Sequence, residues 1–238
     1  MQAAVNEAST GNFEFEALKW ARNYRNALLA EFAPGLRGQV IEVGAGIGQM
    51  TGLLARAPGV TRVLAIEPDP RFAEMFRQRW PDHPFLQGTA GDLTPGSRCD
   101  CIVSVNVLEH IREDARELEI YTRLLRDDAG TLCLFVPARP EIYAPLDKDF
   151  GHYRRYTRKE LRDKLKRSGF EVLRLDYFNL VGYFAWWFTF RLLGKRRFNE
   201  AAVRFFDRMI FPPMHAWESR ILRPPIGQSL VALARPAS

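Results

Sequence analysis

A chain of 238 residues, 47% hydrophobic and 26% charged, can bury one sizeable core, which predicts a single domain over residues 1–238. Its apolar runs are too short to span a bilayer and its first residues, M-Q-A-A-V-N-E-A-S-T, lack a basic and apolar leader, so the expected compartment is the cytoplasm. The net charge of +6 admits an acidic substrate, a nucleic acid or an anionic membrane as partner and selects none of them.

Residues 14–32 set Phe15, Leu18, Trp20, Tyr24, Leu28 and Leu29 among charged residues, an amphipathic helix within an N-terminal helical segment, residues 1–36. Core packing is the expected job of Trp20 and Tyr24, ahead of ligand contact. Residues 40–48 read V-I-E-V-G-A-G-I-G. Val40, Ile41 and Val43 suit a strand covered on both faces of a parallel sheet. Gly44, Gly46 and Gly48 then clear side chains from a turn that a ligand can approach, and Met50, Leu53 and Leu54 resume at helical spacing. The next apolar run ends in Glu67, about 20 residues past the glycines, where a nucleoside-binding fold puts a carboxylate on the ribose hydroxyls.

Two ligands compete for such a turn, NAD(P) and S-adenosylmethionine. The dinucleotide fingerprint is G-x-G-x-x-G/A, whereas this loop is G-x-G-x-G. Glu42 also stands where an acid can accept from the ammonium of an amino-acid-bearing ligand. Both features lean toward S-adenosylmethionine. At this point the chain resembles the class I S-adenosylmethionine-dependent methyltransferases, whose first motif looks like the E-V-G-A-G-I-G of residues 42–48. The resemblance implies an α/β fold, a doubly wound, seven-stranded, mostly parallel sheet of the Rossmann-like methyltransferase kind. It also implies that S-adenosylmethionine is held by Glu42, Gly44, Ala45, Gly46, Gly48, Glu67 and Pro68, with S-adenosylhomocysteine as product.

Pro70 opens a helix carrying Phe72, Met75, Phe76 and Trp80, and Phe85 and Leu86 make a short third strand. In G-T-A-G-D-L, residues 88–93, the resembling family has an acid for the adenine amino group. Here Thr89 takes its place beside Ala90, leaving Asp92 or backbone groups for that contact. Residues 101–105, C-I-V-S-V, form a clean strand ending in N-V-L-E-H. By resemblance to the family's fourth motif, Asn106 lines the methyl-donor side. His110 is a general base, a hydrogen-bonder that shapes the site, or a helix cap; with Glu109 it supplies two adjacent donors, too few to assign a metal. Cys99, Cys101 and Cys133 read as buried free thiols.

Leu118, Tyr121, Leu124 and Leu125 mark the next helix, ended by D-D-A-G at residues 127–130, and residues 131–136 the fifth strand. T-R-K-E from Thr157 reads as a capping box. Residues 170–177 and 227–233 supply the last two strands, whose order a dehydrogenase does not predict. The loop of residues 136–156 leaves a strand at its carboxyl end and gathers Tyr143, His152, Tyr153, Arg154, Arg155 and Tyr156. It looks like the loops of methyltransferases grouped with the type 11 and type 12 domains, which act on small molecules. His152 is the candidate base, against a loop-bracing role. Arg154 and Arg155 offer a carboxylate or phosphate clamp, one of them expected to pair with Asp147 or Asp149. Tyr143, Tyr156 and Trp186 complete the expected acceptor side.

Residues 178–226 read as a helical, aromatic insertion before the last strand, covering the acceptor, with a second apolar helix over residues 200–211 closed by Pro212-Pro213. Pocket roof is preferred to dimer contact, and dimer contact to peripheral membrane contact. The expected function is methyl transfer from S-adenosylmethionine to an O, N or C nucleophile of a small organic molecule, in secondary, cofactor or lipid-linked metabolism. A nicotinamide-dependent oxidoreductase and a non-enzymatic membrane- or nucleic-acid-binding module are the alternatives; nucleic acid is not an expected partner, since no aromatic-interleaved RNA motif is present.

Overall fold

The computed structural model describes residues 19–126, 129–220 and 224–237. The predicted start of the first helix, with Phe15 and Leu18, and the two aspartates of D-D-A-G lie outside them. In chain order the main elements are α1 (Arg22–Phe32), β1 (Gly38–Val43), α2 (Thr51–Leu54), β2 (Val60–Glu67), α3 (Pro70–Arg79), β3 (Phe85–Gln87), β4 (Cys101–Val105), α4 (Asp114–Leu124), β5 (Thr131–Pro137), α5 (Pro145–Asp149), α6 (Arg158–Arg167), β6 (Phe170–Phe178), α7 (Leu180–Trp186), α8 (Glu200–Phe205), α9 (Phe211–Arg220) and β7 (Ser229–Pro236).

The strands form one seven-stranded sheet in the order β3-β2-β1-β4-β5-β7-β6. β1 to β5 are parallel, while β7 runs antiparallel to both β5 and β6. Chain order reverses between β1 and β4, where Val43 pairs with Ser104, so the glycine loop and N-V-L-E-H leave adjacent strand ends at the topological switch point.

The strands read as unbroken apolar runs because both faces are covered. Ile41, Val43, Ile102, Leu132 and Leu134 point into one core layer with Leu118 and Tyr121 of α4 and Leu161 and Leu165 of α6. Val40, Cys101, Val103, Cys133 and Phe135 alternate to the other, against Leu28 and Phe32 of α1, Leu54 and Phe211. The three cysteines are buried free thiols. Tyr24 is a core residue, its ring 5.1 Å from Phe211 and 5.2 Å from Phe178. Trp20 donates Nε1–H to Glu200 across 3.2 Å and lies under the Arg204 guanidinium.

One helical prediction is met at its N-cap and another changes. At α6, Thr157 accepts from the Glu160 backbone N–H at 3.1 Å, the N-cap half of the predicted capping box. The helix expected to end at Phe211 continues through the proline pair to Arg220. A π turn over Phe206–Ile210 precedes it, so Pro212 and Pro213 fall in a fresh first turn, where a missing N–H costs nothing. α7 likewise widens into a π turn over Trp187–Leu192.

α1 has no side-chain cap of its own at Ala21. The buried carboxylate of Asp207, in the second π turn, supplies one, accepting from the N–H groups of Asn23 at 3.1 Å and Tyr24 at 2.9 Å. A residue 184 positions away thus satisfies the orphan donors of the first turn.

Candidate functional site

Gly44, Gly46 and Gly48 have φ of 70°, 56° and 78°, so every second residue of the loop is left-handed, the region that favours glycine. Two of them are also crowded. A Cβ on Gly44 would meet Val107 Cγ2 at 2.4 Å, and one on Gly48 would meet Trp80 Nε1 at 2.3 Å. The alternation G-x-G-x-G is therefore a backbone requirement.

Both acids predicted beside the loop are buried in its walls. Glu42 shares a 2.6 Å hydrogen bond with the Thr51 hydroxyl, and burial pushes its carboxyl up to about 8 despite that bond. Glu67 accepts from Gly46 N–H at 2.8 Å and Asp69 N–H at 2.9 Å; burial raises its carboxyl against both bonds. It stands at the end of β2, as expected for a ribose ligand, and braces the glycine loop as well. Pro68 is exposed beside it, Ala45 is buried, and Ala90 is fully packed.

On the adenine side Asp92 is taken by local structure. Its Oδ2 accepts from the Thr89 hydroxyl at 2.8 Å and the Thr89 N–H at 2.7 Å, closing a capping box around Ala90–Asp92. Asn106 ends β4 exposed and left-handed, with φ of 53°, a strained conformation that concentrates at ligand sites.

The 136–156 loop returns to the end of β4, where Tyr153 N–H bonds the Glu109 carbonyl at 2.8 Å. This joins residues far apart in sequence into one cluster. His152 Nδ1 lies 2.9 Å from Asp147 Oδ1 and its Nε2 lies 3.9 Å from Glu109 Oε1. The rings of His110 and His152 meet edge to face, 4.6 Å between centroids. Burial, then the neighbouring His152, lowers His110 to about 4. Burial works to raise Asp147, but His152, Arg155 and the Ala144 N–H hold it below the ordinary carboxylate value. Tyr143 donates its hydroxyl to the His152 carbonyl at 2.6 Å.

Of the predicted acceptor contacts, Arg155, Tyr156 and Trp186 turn inward, and Arg154, 24% exposed, is ion-paired. Arg155 is 3% exposed; its Nε donates to Asp147 and one terminal nitrogen to the Ala138 carbonyl. Arg154 pairs with Asp114 at 2.7 Å. Tyr156 is fully buried and donates to the same Asp114 at 2.7 Å. A buried guanidinium or phenol must find partners, and the aspartates provide them, so Arg155 and Tyr156 brace the loop from within, while Arg154 pairs with Asp114 at its edge. Trp186 faces inward, its Nε1–H on the Ile142 carbonyl at 3.2 Å and its ring 4.5 Å from the Arg155 guanidinium. With Phe190 it packs on Ile142, Ala144 and Leu146, so α7 rests on the loop that carries His152. A concavity of about 430 Å³ elsewhere, at the β6 edge, is lined by Arg158, Arg162, Lys166 and Arg174 and is separate from this crevice.

Sequence reasoning named His152 and Asp147 without joining them, and passed over Thr51 and Asp207. The five-residue spacing from Asp147 to His152 within one short loop was the available signal; for Asp207 none existed.

An antiparallel seventh strand between β5 and β6, a glycine loop at the switch point and a carboxylate at the end of β2 define the class I S-adenosylmethionine-dependent methyltransferase fold. A family model described as a methyltransferase domain matches residues 14–175, and the chain belongs to that methyltransferase-domain family. Its cofactor is S-adenosylmethionine. No curated protein matches the chain. Among solved structures, a chain from the complex between the Haloferax volcanii Trm112 methyltransferase activator and its methyltransferase has a TM-score of 0.64 at 17% identity, covering 98% of this chain and 96% of that one. A methyltransferase from Thermotoga maritima has a TM-score of 0.62 at 18% identity, with 96% of each chain covered. DhpI in its complex with SAH has a TM-score of 0.61 at 16% identity, covering 98% of this chain and 93% of that one.

Proposed function

We propose that the enzyme methylates a nucleophile of a small, lipid-linked organic acceptor, and that residues 178–226 form the cover of the acceptor site. The sulfonium already activates the methyl group, so the protein's task is in-line placement of an acceptor lone pair at about 3–3.5 Å and exclusion of water. Gly44 to Gly48, Glu42 and Glu67 hold the cofactor, with Ala45, Pro68, Ala90 and Asn106 around it. The Glu109, His110 and His152 cluster is the polar end where the acceptor's proton leaves, and Tyr143 and the α7 side of the cover bound the acceptor. His152 suits a base because Asp147 anchors Nδ1 and leaves Nε2 for the acceptor.

The observation that carries the lipid-linked reading is the outer face of the cover. Of the ten exposed large apolar side chains among the described residues, eight lie here: Phe184, Trp187, Phe188, Leu192, Leu193, Phe205, Met209 and Trp217. Arg191, Lys195, Arg196, Arg197 and Arg208 are exposed among them. Aromatic and leucine side chains with a basic fringe suit the headgroup boundary of an anionic bilayer. No helix among the described residues is long and apolar enough to cross a membrane, so this contact would be peripheral.

Methyl-labelled S-adenosylmethionine incubated with total lipid extract tests the reading, with label expected in the organic phase. Label confined to protein or nucleic acid overturns it. The same apolar surface also suits a protein partner; the Haloferax volcanii methyltransferase is in a complex with the Trm112 methyltransferase activator. Sedimentation with anionic vesicles discriminates: binding lost when Trp187 and Phe188 become Asp supports the membrane, and no binding at low salt supports a protein partner.

A further inference from the structure

The cluster at the end of β4 contains more than a base. Glu109, His110 and His152 each offer a donor atom, and the three atoms lie within 4.8 Å of one another. Two of them are adjacent in sequence on the short turn after β4; the third arrives on the 136–156 loop. We propose that these three residues form a binding site for a first-row divalent transition metal.

Three further features are those of a metal site. First, His152 is oriented by a carboxylate: Asp147 Oδ1 sits 2.9 Å from Nδ1, so Nε2 is the nitrogen left for coordination. A carboxylate–histidine pair behind a ligand is the usual outer-shell arrangement, and it fixes both tautomer and ring plane. Asp147 is itself held by Arg155 and by the Ala144 N–H at 2.8 Å, so the orientation is rigid. Second, His110 is oriented in the same manner by a hydrogen bond to the Phe150 main chain. Third, Glu109 and Asp147 are both fully buried, with Arg155 as the guanidinium that faces them. Away from bulk water, electrostatic attraction between such carboxylates and a cation is stronger than at the surface.

The donor set selects the metal. Two imidazoles and a carboxylate suit Zn²⁺, Co²⁺ or Mn²⁺ more than Mg²⁺, which prefers oxygen ligands. Bonds of about 2.0–2.1 Å place tetrahedral donors about 3.3 Å apart, so donors that lie within 4.8 Å of one another close in by up to about 1.5 Å on binding, a side-chain adjustment. Three protein ligands leave positions open. Of the three ligands His110 is the most accessible, and on its side an oxygen of the acceptor would coordinate and lose its proton to solvent more readily; this role rests on the methyl-transfer reading, whereas the site itself does not. With the cation seated, His152 Nε2 is a ligand and no longer a base.

The full chain, stripped with chelator, is titrated separately with Zn²⁺, Co²⁺, Mn²⁺ and Mg²⁺ by calorimetry, without cofactor or acceptor, and the Co²⁺ titration is followed by its visible absorption. One equivalent of Zn²⁺ or Co²⁺ at micromolar or tighter Kd is expected. Glu109→Gln and His152→Ala should each weaken it at least tenfold, and Asp147→Asn about 10- to 100-fold through the orientation of His152. S-adenosylhomocysteine binding by each variant serves as the folding control; should His152→Ala fail it, His110→Asn takes its place. Absence of saturable binding by the parent, binding of Mg²⁺ alone, or unchanged affinity in the folded variants overturns the proposal. Failure of the parent to bind S-adenosylhomocysteine would instead sink the methyl-transfer reading and leave the metal result standing; thermal unfolding then controls for folding.

Discussion

Replacing Asp207 by alanine should loosen the N-terminal helix from a distance of 184 residues. The substitution removes the acceptor of two backbone N–H groups, at 3.1 and 2.9 Å, while the bond from Asn23 Nδ2 to the Asp207 carbonyl persists because it is made to main chain. Loss of a helix N-cap costs about 1 kcal/mol and up to about 2, and a carboxylate at the positive end of a helix dipole adds up to about 1. The expected loss is therefore about 2–3 kcal/mol. At about 2–4 °C per kcal/mol for a chain of this size, thermal unfolding should shift down by roughly 5–10 °C. Asp207→Asn keeps one oxygen acceptor and should lose about half as much. Hydrogen exchange gives the local readout: the amides of Asn23 and Tyr24 should exchange faster in the alanine variant. A melting temperature within about 1 °C of the parent, or unchanged exchange at those two amides, refutes the capping argument.

Glu67→Ala should weaken S-adenosylhomocysteine binding about tenfold by calorimetry, the loss of one charge-assisted hydrogen bond; an equal affinity would remove Glu67 from the cofactor. Gly48→Ala puts a methyl 2.3 Å from the Trp80 indole nitrogen at a φ of 78°, and should cost about 1–3 kcal/mol in urea unfolding together with cofactor affinity; a neutral result would show that Trp80 yields freely. Glu42, pushed up to about 8 from an ordinary 4.5, keeps its proton in the folded chain over a range where the unfolded chain has lost it. Its contribution favours folding at low pH and is lost as pH rises through about 8, with a slope of at most about 1.4 kcal/mol per pH unit. The stability difference between the parent and Glu42→Gln, measured by urea unfolding from pH 5 to 8, should decline accordingly, and parallel curves would contradict the raised carboxyl. Because an incoming ammonium favours the carboxylate, cofactor binding should release a proton near pH 7, seen as a dependence of calorimetric heat on buffer ionisation.

What was legible in the sequence was whatever local chemistry enforces. The glycine loop could be read because left-handed backbone and the crowding by Val107 and Trp80 demand glycine. The strands could be read because burial on both faces makes apolar runs such as C-I-V-S-V, whose predicted limits, Cys101–Val105, are those of β4. Acids at strand ends could be placed by position alone. Partnership across long separations could not. Arg154 and Tyr156 converge on Asp114, 40 and 42 residues upstream, and nothing along the chain distinguishes such a brace from a substrate clamp: both are an arginine and a tyrosine on a loop beside a crevice. The proline pair misled for a related reason, since a π turn one residue earlier resets the helix and a sequence pattern carries no mark of it.

The cover leaves and rejoins the sheet at a single register pair, Phe178 opposite Ser229, so topologically it is an oversized hairpin loop. Its two arms are nevertheless not equivalent. The second is wedged into the molecule, Phe211 in the main core and Asp207 on α1, whereas the first rests on the loop that carries His152 and, through the Leu180 N–H on Glu218, on the second arm. If residues 178–226 cover the acceptor as proposed, an opening would turn about the second arm and swing the first, carrying the Trp186 contact with it. Changes of acceptor preference should accumulate along residues 180–198, while the second arm drifts slowly under the constraint of the fold it holds together.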